Sequence, residues 1–205
     1  MILFIRFSLL LLTVTLINGC STQPLHSTKL EEHQTIKQRN QQLSQINDWQ
    51  FKGKIAFIQS NKRESASIRW QYKQSNNSQK IDLTSYLGIN ILHVESNKNI
   101  HTIKVNGESY QSRDLDQVIY SLTGLTLPID ALTYWLRGLT YHTKDSISYD
   151  VDSKLPFRLT SEYNNEYWQI TYANYQQVND VQLATRFTIK KNGLLIKVLV
   201  KKWTI

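Results

Sequence analysis

WQFKGKIAF, residues 49–57, decides the fold. Trp49, Phe51, Gly53, Ile55 and Phe57 alternate with Gln50, Lys52, Lys54 and Ala56. A period of two with one apolar side predicts a half-buried strand of an antiparallel sheet. The pattern returns downstream, where Ala66, Ile68, Trp70 and Tyr72 alternate with Ser67, Arg69 and Gln71. Asn61-Lys62-Arg63 is the predicted turn between these two strands. IDLTSYLGINILHV, residues 81–94, reads as a hairpin broken at Tyr86-Leu87-Gly88. NIHTIKV, residues 99–105, reads as a strand ended by the turn signal Asn106-Gly107.

Helical periodicity flanks and interrupts the strands. KLEEHQTIKQRNQQLSQIN, residues 29–47, is a polar helix with a thin stripe of Leu30, Ile36, Leu43 and Ile46. Thr28 and Glu31 would form its capping box. Leu115, Val118, Ile119 and Leu122 follow Asp114 at helical spacing, and Gly124 stops that helix. LPIDALTYWLRG, residues 127–138, places Pro128 near a helix start, Leu132, Trp135 and Leu136 on one face, and Gly138 at the end. Strands then resume. Trp168, Ile170 and Tyr172 share one face, and Val181, Leu183, Phe187 and Ile189 another. A turn at Asn192-Gly193 leads to a last strand with Leu194, Ile196, Val198 and Val200 on one side. Many antiparallel strands with segregated helices predict an α+β fold, or a sheet curled into a barrel whose opening the helices cover.

The chain has 205 residues, 40% hydrophobic and 20% charged, which suits a single globular domain. Its formal charge is +8. Lys and Arg are scattered along the sequence rather than clustered, which argues against a nucleic-acid stripe and leaves a basic solvated surface compatible with anionic lipid.

Cys20 is the single cysteine, so no internal disulfide framework exists. The first nineteen residues hold one charge, Arg6, within a run of Leu, Val, Thr and Phe. That layout predicts a secretory signal over residues 1–19, too short for a lasting transmembrane helix. Ile17-Asn18-Gly19-Cys20 resembles the bacterial lipobox, with Asn18 where Ala or Ser is usual. The resemblance implies a mature chain that begins at an acylated Cys20, a tether over residues 20–28, and one domain over residues 29–205. Ser21, following the cysteine, implies export to the outer membrane.

A search for chemistry finds little. The seven glycines form no phosphate loop, and His26, His33, His93, His101 and His142 lack metal-ligand spacing. His93 and His101 flank one predicted turn, and solvated strand histidines are the expected reading. Asp114 and Asp116 read as helix-start charges. The chain is expected not to be an enzyme and to need no metal or cofactor. Large apolar side chains on one face of many strands would fill a core or line a ligand cavity, and the pattern alone leaves both open.

Several motifs together resemble the LolB family of outer-membrane lipoprotein receptors. They are DWQFKGKIAF, ASIRWQY, IDLTSYLGINIL, LTGLTLPIDALTYWLRG with Gly124, Pro128, Trp135 and Gly138, YWQITYANY, and a final strand closing on Trp203. Tyr86 stands where the family often has Pro, and Tyr167 where it often has Gly. The resemblance implies an incomplete, unclosed antiparallel β-barrel with a helical lid, like that of the soluble carrier LolA. It implies a monomer in the outer membrane, facing the periplasm, that accepts client lipoproteins from a LolA-like periplasmic carrier without nucleotide. Phe51, Ile55, Ile68, Trp70, Leu136 and Ile170 are the candidate acyl-chain cavity residues. Leu87, with Tyr86 and Gly88, is the candidate membrane-insertion loop, since Gly88 permits a tight reversal and leaves Leu87 few strand neighbours. The alternatives are a similar lipoprotein that binds free lipid or another apolar ligand, and a structural lipoprotein with a filled core.

Overall fold

The computed structural model describes residues 35–205 other than residue 126. The predicted signal, the lipobox cysteine and the tether lie outside the described residues. Among the described residues eleven strands form one sheet, with hydrogen-bonded order β6-β5-β4-β3-β2-β1-β11-β10-β9-β8-β7. At its centre β1 (Asp48–Gln59) pairs with both β2 (Lys62–Lys73) and β11 (Leu194–Thr204). From there the sheet grows outward in two antiparallel meanders. One runs through β3 (Ser78–Thr84), β4 (Asn90–Asn97), β5 (Ile100–Val105) and β6 (Glu108–Ser112). The other runs through β10 (Val181–Lys191), β9 (Glu166–Val178), β8 (Pro156–Tyr163) and β7 (Ser146–Tyr149). β6 and β7 do not pair, so the barrel is unclosed.

The helices follow from that gap. The chain leaves one free edge at β6 and re-enters at the other, β7. Between them it forms α2 (Leu115–Thr123) and α3 (Ile129–Trp135), which lay their apolar faces on the concave side of the sheet. Asp114 caps α2 by accepting the Gln117 amide at 2.9 Å, and Gly124 ends it with a left-handed φ of 69°. The leading helix, α1 (Ile36–Ser44), opens on Thr35 rather than on the expected Thr28. Thr35 and Gln38 form the capping box there, with the Thr35 amide donating to Gln38 at 2.9 Å. Thr28 and Glu31 lie outside the described residues.

The first hairpin turns at Ser60-Asn61, and Lys62 and Arg63 already belong to β2. The Asn106-Gly107 turn forms as expected, with φ of 51° and 84°. The parity of the last strand changes near its end. Lys52 pairs with Lys202 but Gly53 pairs with Val200, so Lys201 is an extra residue, a β-bulge. The bulge returns Trp203 to the core face after Val200. It also brings the Leu199 carbonyl oxygen to 2.1 Å from where a Cβ at Gly53 would sit, so only glycine fits. Trp49, Phe51, Trp70 and Trp203 then pack as one aromatic cluster with ring centroids 5.2–6.2 Å apart.

Candidate functional site

Beneath α2 and α3 lies a cavity of about 50 Å³ whose lining has no polar surface. Phe51, Ile55 and Phe57 of β1, Ile68 and Trp70 of β2, and Ile81 and Leu83 of β3 form its floor. Leu92 and Val94 of β4, Ile189 of β10, and Ile196 and Val198 of β11 extend it. Ile119 of α2, Leu127, Ile129, Leu132 and Leu136 close it from above. Five of the six candidate residues, Phe51, Ile55, Ile68, Trp70 and Leu136, are in the lining. Ile170 is not. It is fully buried in β9, paired in register with Leu159 on one side and Ile189 on the other, where it fills the core.

The lid is anchored by polar contacts around its rim. Trp135 donates through Nε1 to the Asp145 carboxylate at 2.8 Å, and the Tyr141 amide donates to the same carboxylate oxygen at 2.6 Å. The Tyr172 hydroxyl donates to the Trp135 carbonyl at 2.8 Å, and full burial pushes its phenol well above the ordinary range. Asp116 connects the two lid helices. Desolvation lifts its carboxyl to about 6, opposed by a hydrogen bond from the Ile129 amide at the start of α3 and reinforced by Asp130 and Asp114. Asp114 is thus a helix cap, while Asp116 is a half-buried group between helices.

The β3–β4 tip is a tight turn. Ser85 accepts the Gly88 amide at 3.0 Å and donates its own amide to Ile89 at 2.8 Å, and Gly88 adopts φ of 80°. The turn holds Leu87 out, 80% exposed, beside Tyr86 at 98%. Ile89, 64% exposed, and Ile91, on the outer face of β4, extend the apolar tip. The sequence reading stopped at Gly88. It missed these two because they continue an alternation that elsewhere marks the core.

The histidines do not meet. His93 Nδ1 lies 2.6 Å from Asp82 Oδ1, and His101 Nδ1 lies 2.7 Å from Ser96 Oγ. Burial lowers the pKa of His101. Among the described residues no group of three or more His, Cys, Asp or Glu is placed to hold a metal, and no helix is long and apolar enough to cross a membrane.

Comparison with known proteins agrees with this architecture. A crystal structure of a LolA superfamily protein from Nitrosomonas europaea superposes with a TM-score of 0.52 at 11% identity, covering 83% of this chain and 93% of that one. A putative outer membrane lipoprotein-sorting protein domain from Vibrio parahaemolyticus gives 0.52 at 10% identity, covering 82% and 90%. These likenesses show the fold. At the level of sequence, the outer-membrane lipoprotein LolB of Aeromonas hydrophila is 30% identical over 192 residues, 93% of this chain and 92% of its own. That of Aeromonas salmonicida is 31% identical over the same shares. Residues 47–203 match the family model described as outer membrane lipoprotein LolB, and the chain belongs to that family.

Proposed function

We propose that this protein is an outer-membrane-anchored receptor. It takes acylated lipoproteins from a LolA-like periplasmic carrier and delivers them to the inner leaflet of the outer membrane. The observation that carries the reading is the cavity: entirely apolar, set in an unclosed barrel and roofed by two helices, in a chain of the LolB family. Cys20 would supply the anchor through its acylated thiol and amine, and the client would occupy the cavity.

The energetics fit this role. At about 0.8 kcal/mol per buried CH₂, three acyl chains amount to several tens of kcal/mol. A carrier must therefore replace bilayer contacts almost one for one. A cavity of about 50 Å³ is smaller than the roughly 150 Å³ that holds a benzene-sized molecule. A cavity of that size is too small for an acyl chain, so loading requires α2 and α3 to lift from the sheet. The apolar surface so exposed is covered again by the client's acyl chains. With no phosphoryl-transfer site invoked, transfer runs on differential affinity alone, from carrier to receptor to membrane.

The exposed Tyr86 and Leu87 would touch the leaflet during release. Burial of one leucine side chain gains roughly 2 kcal/mol, too little to anchor the protein but enough to hold the tip against lipid. The experiment that tests the reading mixes the protein with a LolA-like carrier loaded with a labelled lipoprotein. Nucleotide-free movement of the label onto this protein, and crosslinking of the two proteins, is the expected result. Copurification with free lipid and no acquisition from any carrier would instead identify a lipid-binding lipoprotein.

A further inference from the structure

The basic residues, scattered in the sequence, are gathered by the sheet. Because side chains alternate across a strand, the polar positions of β2, β1, β11 and β10 all face the convex side, away from the lid. The register sets them in cross-strand rows. Lys190, Leu195, Ile58 and Arg63 form the row nearest the β1–β2 turn. Thr188, Lys197, Ala56 and Ser65 follow, then Arg186, Leu199, Lys54 and Ser67. Lys202, Lys52, Arg69 and Asp82 come next, and Thr204, Gln50 and Gln71, then Asp48 and Lys73, complete the face. Nine exposed cations stand there against two carboxylates, Asp48 and Asp82, the second itself held by His93. That leaves a net of seven positive charges on this face, where the whole chain carries +8. Among the described residues none of the nine has a carboxylate partner within ion-pair distance.

We infer that this convex face is a docking surface for the anionic headgroups of a lipid leaflet. Three features favour lipid over an acidic protein. The charges are spread over four strands as a regular array, which matches a field of headgroups. Exposed Leu199 lies among the cations, an apolar side chain suited to the headgroup boundary. The face is also continuous with the apolar tip, because Ser67 pairs with Thr84, the last residue before the turn that exposes Tyr86 and Leu87. Cationic side chains near an anionic surface and an apolar edge are the two attractions that hold a protein flat on a membrane. Lying on this face, the molecule would turn α2 and α3 away from the leaflet. The inference deepens the proposed receptor role, since it leaves the lid free for an incoming carrier while the tip stays at the lipid.

The test uses the full acylated chain reconstituted with phosphatidylcholine vesicles, with and without phosphatidylglycerol. The readout is the rate at which an amine reagent modifies individual lysines. Lys52, Lys54, Lys197 and Lys202 should react roughly tenfold more slowly when phosphatidylglycerol is present. Lys37 and Lys98, off this face, should not change. The protection should vanish at 1 M salt, where the screening length falls to about 3 Å. Replacing Lys52, Lys54 and Lys197 together by Gln should abolish the protection of Lys202 without altering the fold. Equal rates in both vesicle types would overturn the inference. So would protection by soluble poly-glutamate but not by phosphatidylglycerol, which would assign the face to an acidic protein. Flotation reports the anchor separately. Protein that floats with both vesicle types but shows unprotected lysines overturns this inference alone, and protein that floats with neither overturns the anchor as well.

Discussion

Arg39 of α1 and Arg137, just past α3, hold each other's helix ends. Arg39 donates through Nη2 to the Arg137 carbonyl at 3.1 Å and to the Gln182 carbonyl of β10 at 3.2 Å. Arg137 donates through Nη1 to the Leu43 and Ile46 carbonyls at 3.2 and 3.1 Å, and through Nε to Thr133 at 3.0 Å. Both are buried, and neither has a carboxylate partner among the described residues. The unsatisfied carbonyls at the two helix ends take the place of anions. Desolvation lowers the pKa of both guanidinium groups, which stay charged.

The brace is unequal, and that predicts an order of stability. Arg137 makes three carbonyl hydrogen bonds, whereas Arg39 makes two and leaves Nε and Nη1 without a partner. Arg137→Met should lower unfolding stability by about 2–4 kcal/mol. Arg39→Met should cost less, because it also removes two unpaired buried donors. Urea denaturation of the two variants measures the order.

Gly53→Ala should destabilise the sheet centre by several kcal/mol, since the new methyl meets the Leu199 carbonyl oxygen at 2.1 Å and the bulge that places Trp203 must shift. Thermal unfolding should show a lower midpoint, and the tryptophan fluorescence should move toward that of exposed indole. Gly107→Ala, with nothing within 4 Å of its added methyl, carries only the strain of its positive φ and should cost less.

Asp116 gives the lid a pH dependence of definite sign. Its carboxyl is lifted from 3.8 to about 6 in the folded chain, mainly by desolvation. The folded state therefore binds more protons than the unfolded one between these values. The contribution of this group to stability is full below pH 4 and is lost as the pH rises through 6. Asp116→Asn should remove that part of the pH profile. The check is the difference between wild-type and variant unfolding midpoints from pH 4 to 7, which should grow in favour of the variant as the pH rises.

Cavity wall and core should separate under charge. Ile55 is half-buried at the cavity and Ile170 is fully enclosed between β8 and β10. Ile55→Glu should keep its circular dichroism and lose acceptance of lipoprotein. Ile170→Glu should lose the fold, because an unpaired buried charge exceeds the margin of a small domain. Loss of acceptance only together with loss of fold, in both variants, would point to a filled core.

The central strands and the lid were legible in the sequence wherever one physical demand dominated. β1, β2 and β11 bury one face only, so their alternation is clean. α2 and α3 carry a cap, a proline and terminal glycines. β6 and β7 were not legible. Both are edge strands with few inward apolar residues, Tyr110 in one and Ile147 in the other, and an edge strand has little to bury. β8 was missed because its inward positions include Ser161 beside Leu159. The described helix opens on Thr35, a second Thr-x-x-Gln pattern seven residues after the Thr28 pattern, and local capping chemistry alone does not rank the two. The basic face was invisible for a different reason. It is assembled by register across four strands distant in sequence, and charge counted along the chain shows it as scatter.

Leu87 offers the most direct test of the whole account. A lipoprotein-loaded carrier is mixed with the acylated protein and outer-membrane vesicles, without nucleotide, and the label is followed from carrier to receptor to membrane. Wild type and Leu87→Phe should pass the label through. Leu87→Glu, which sets a carboxylate on an exposed tip and disturbs no core contact, should accept the label and retain it, so that loaded receptor accumulates. Delivery by Leu87→Glu at the wild-type rate, or no transfer of label to the wild-type protein at all, would contradict it.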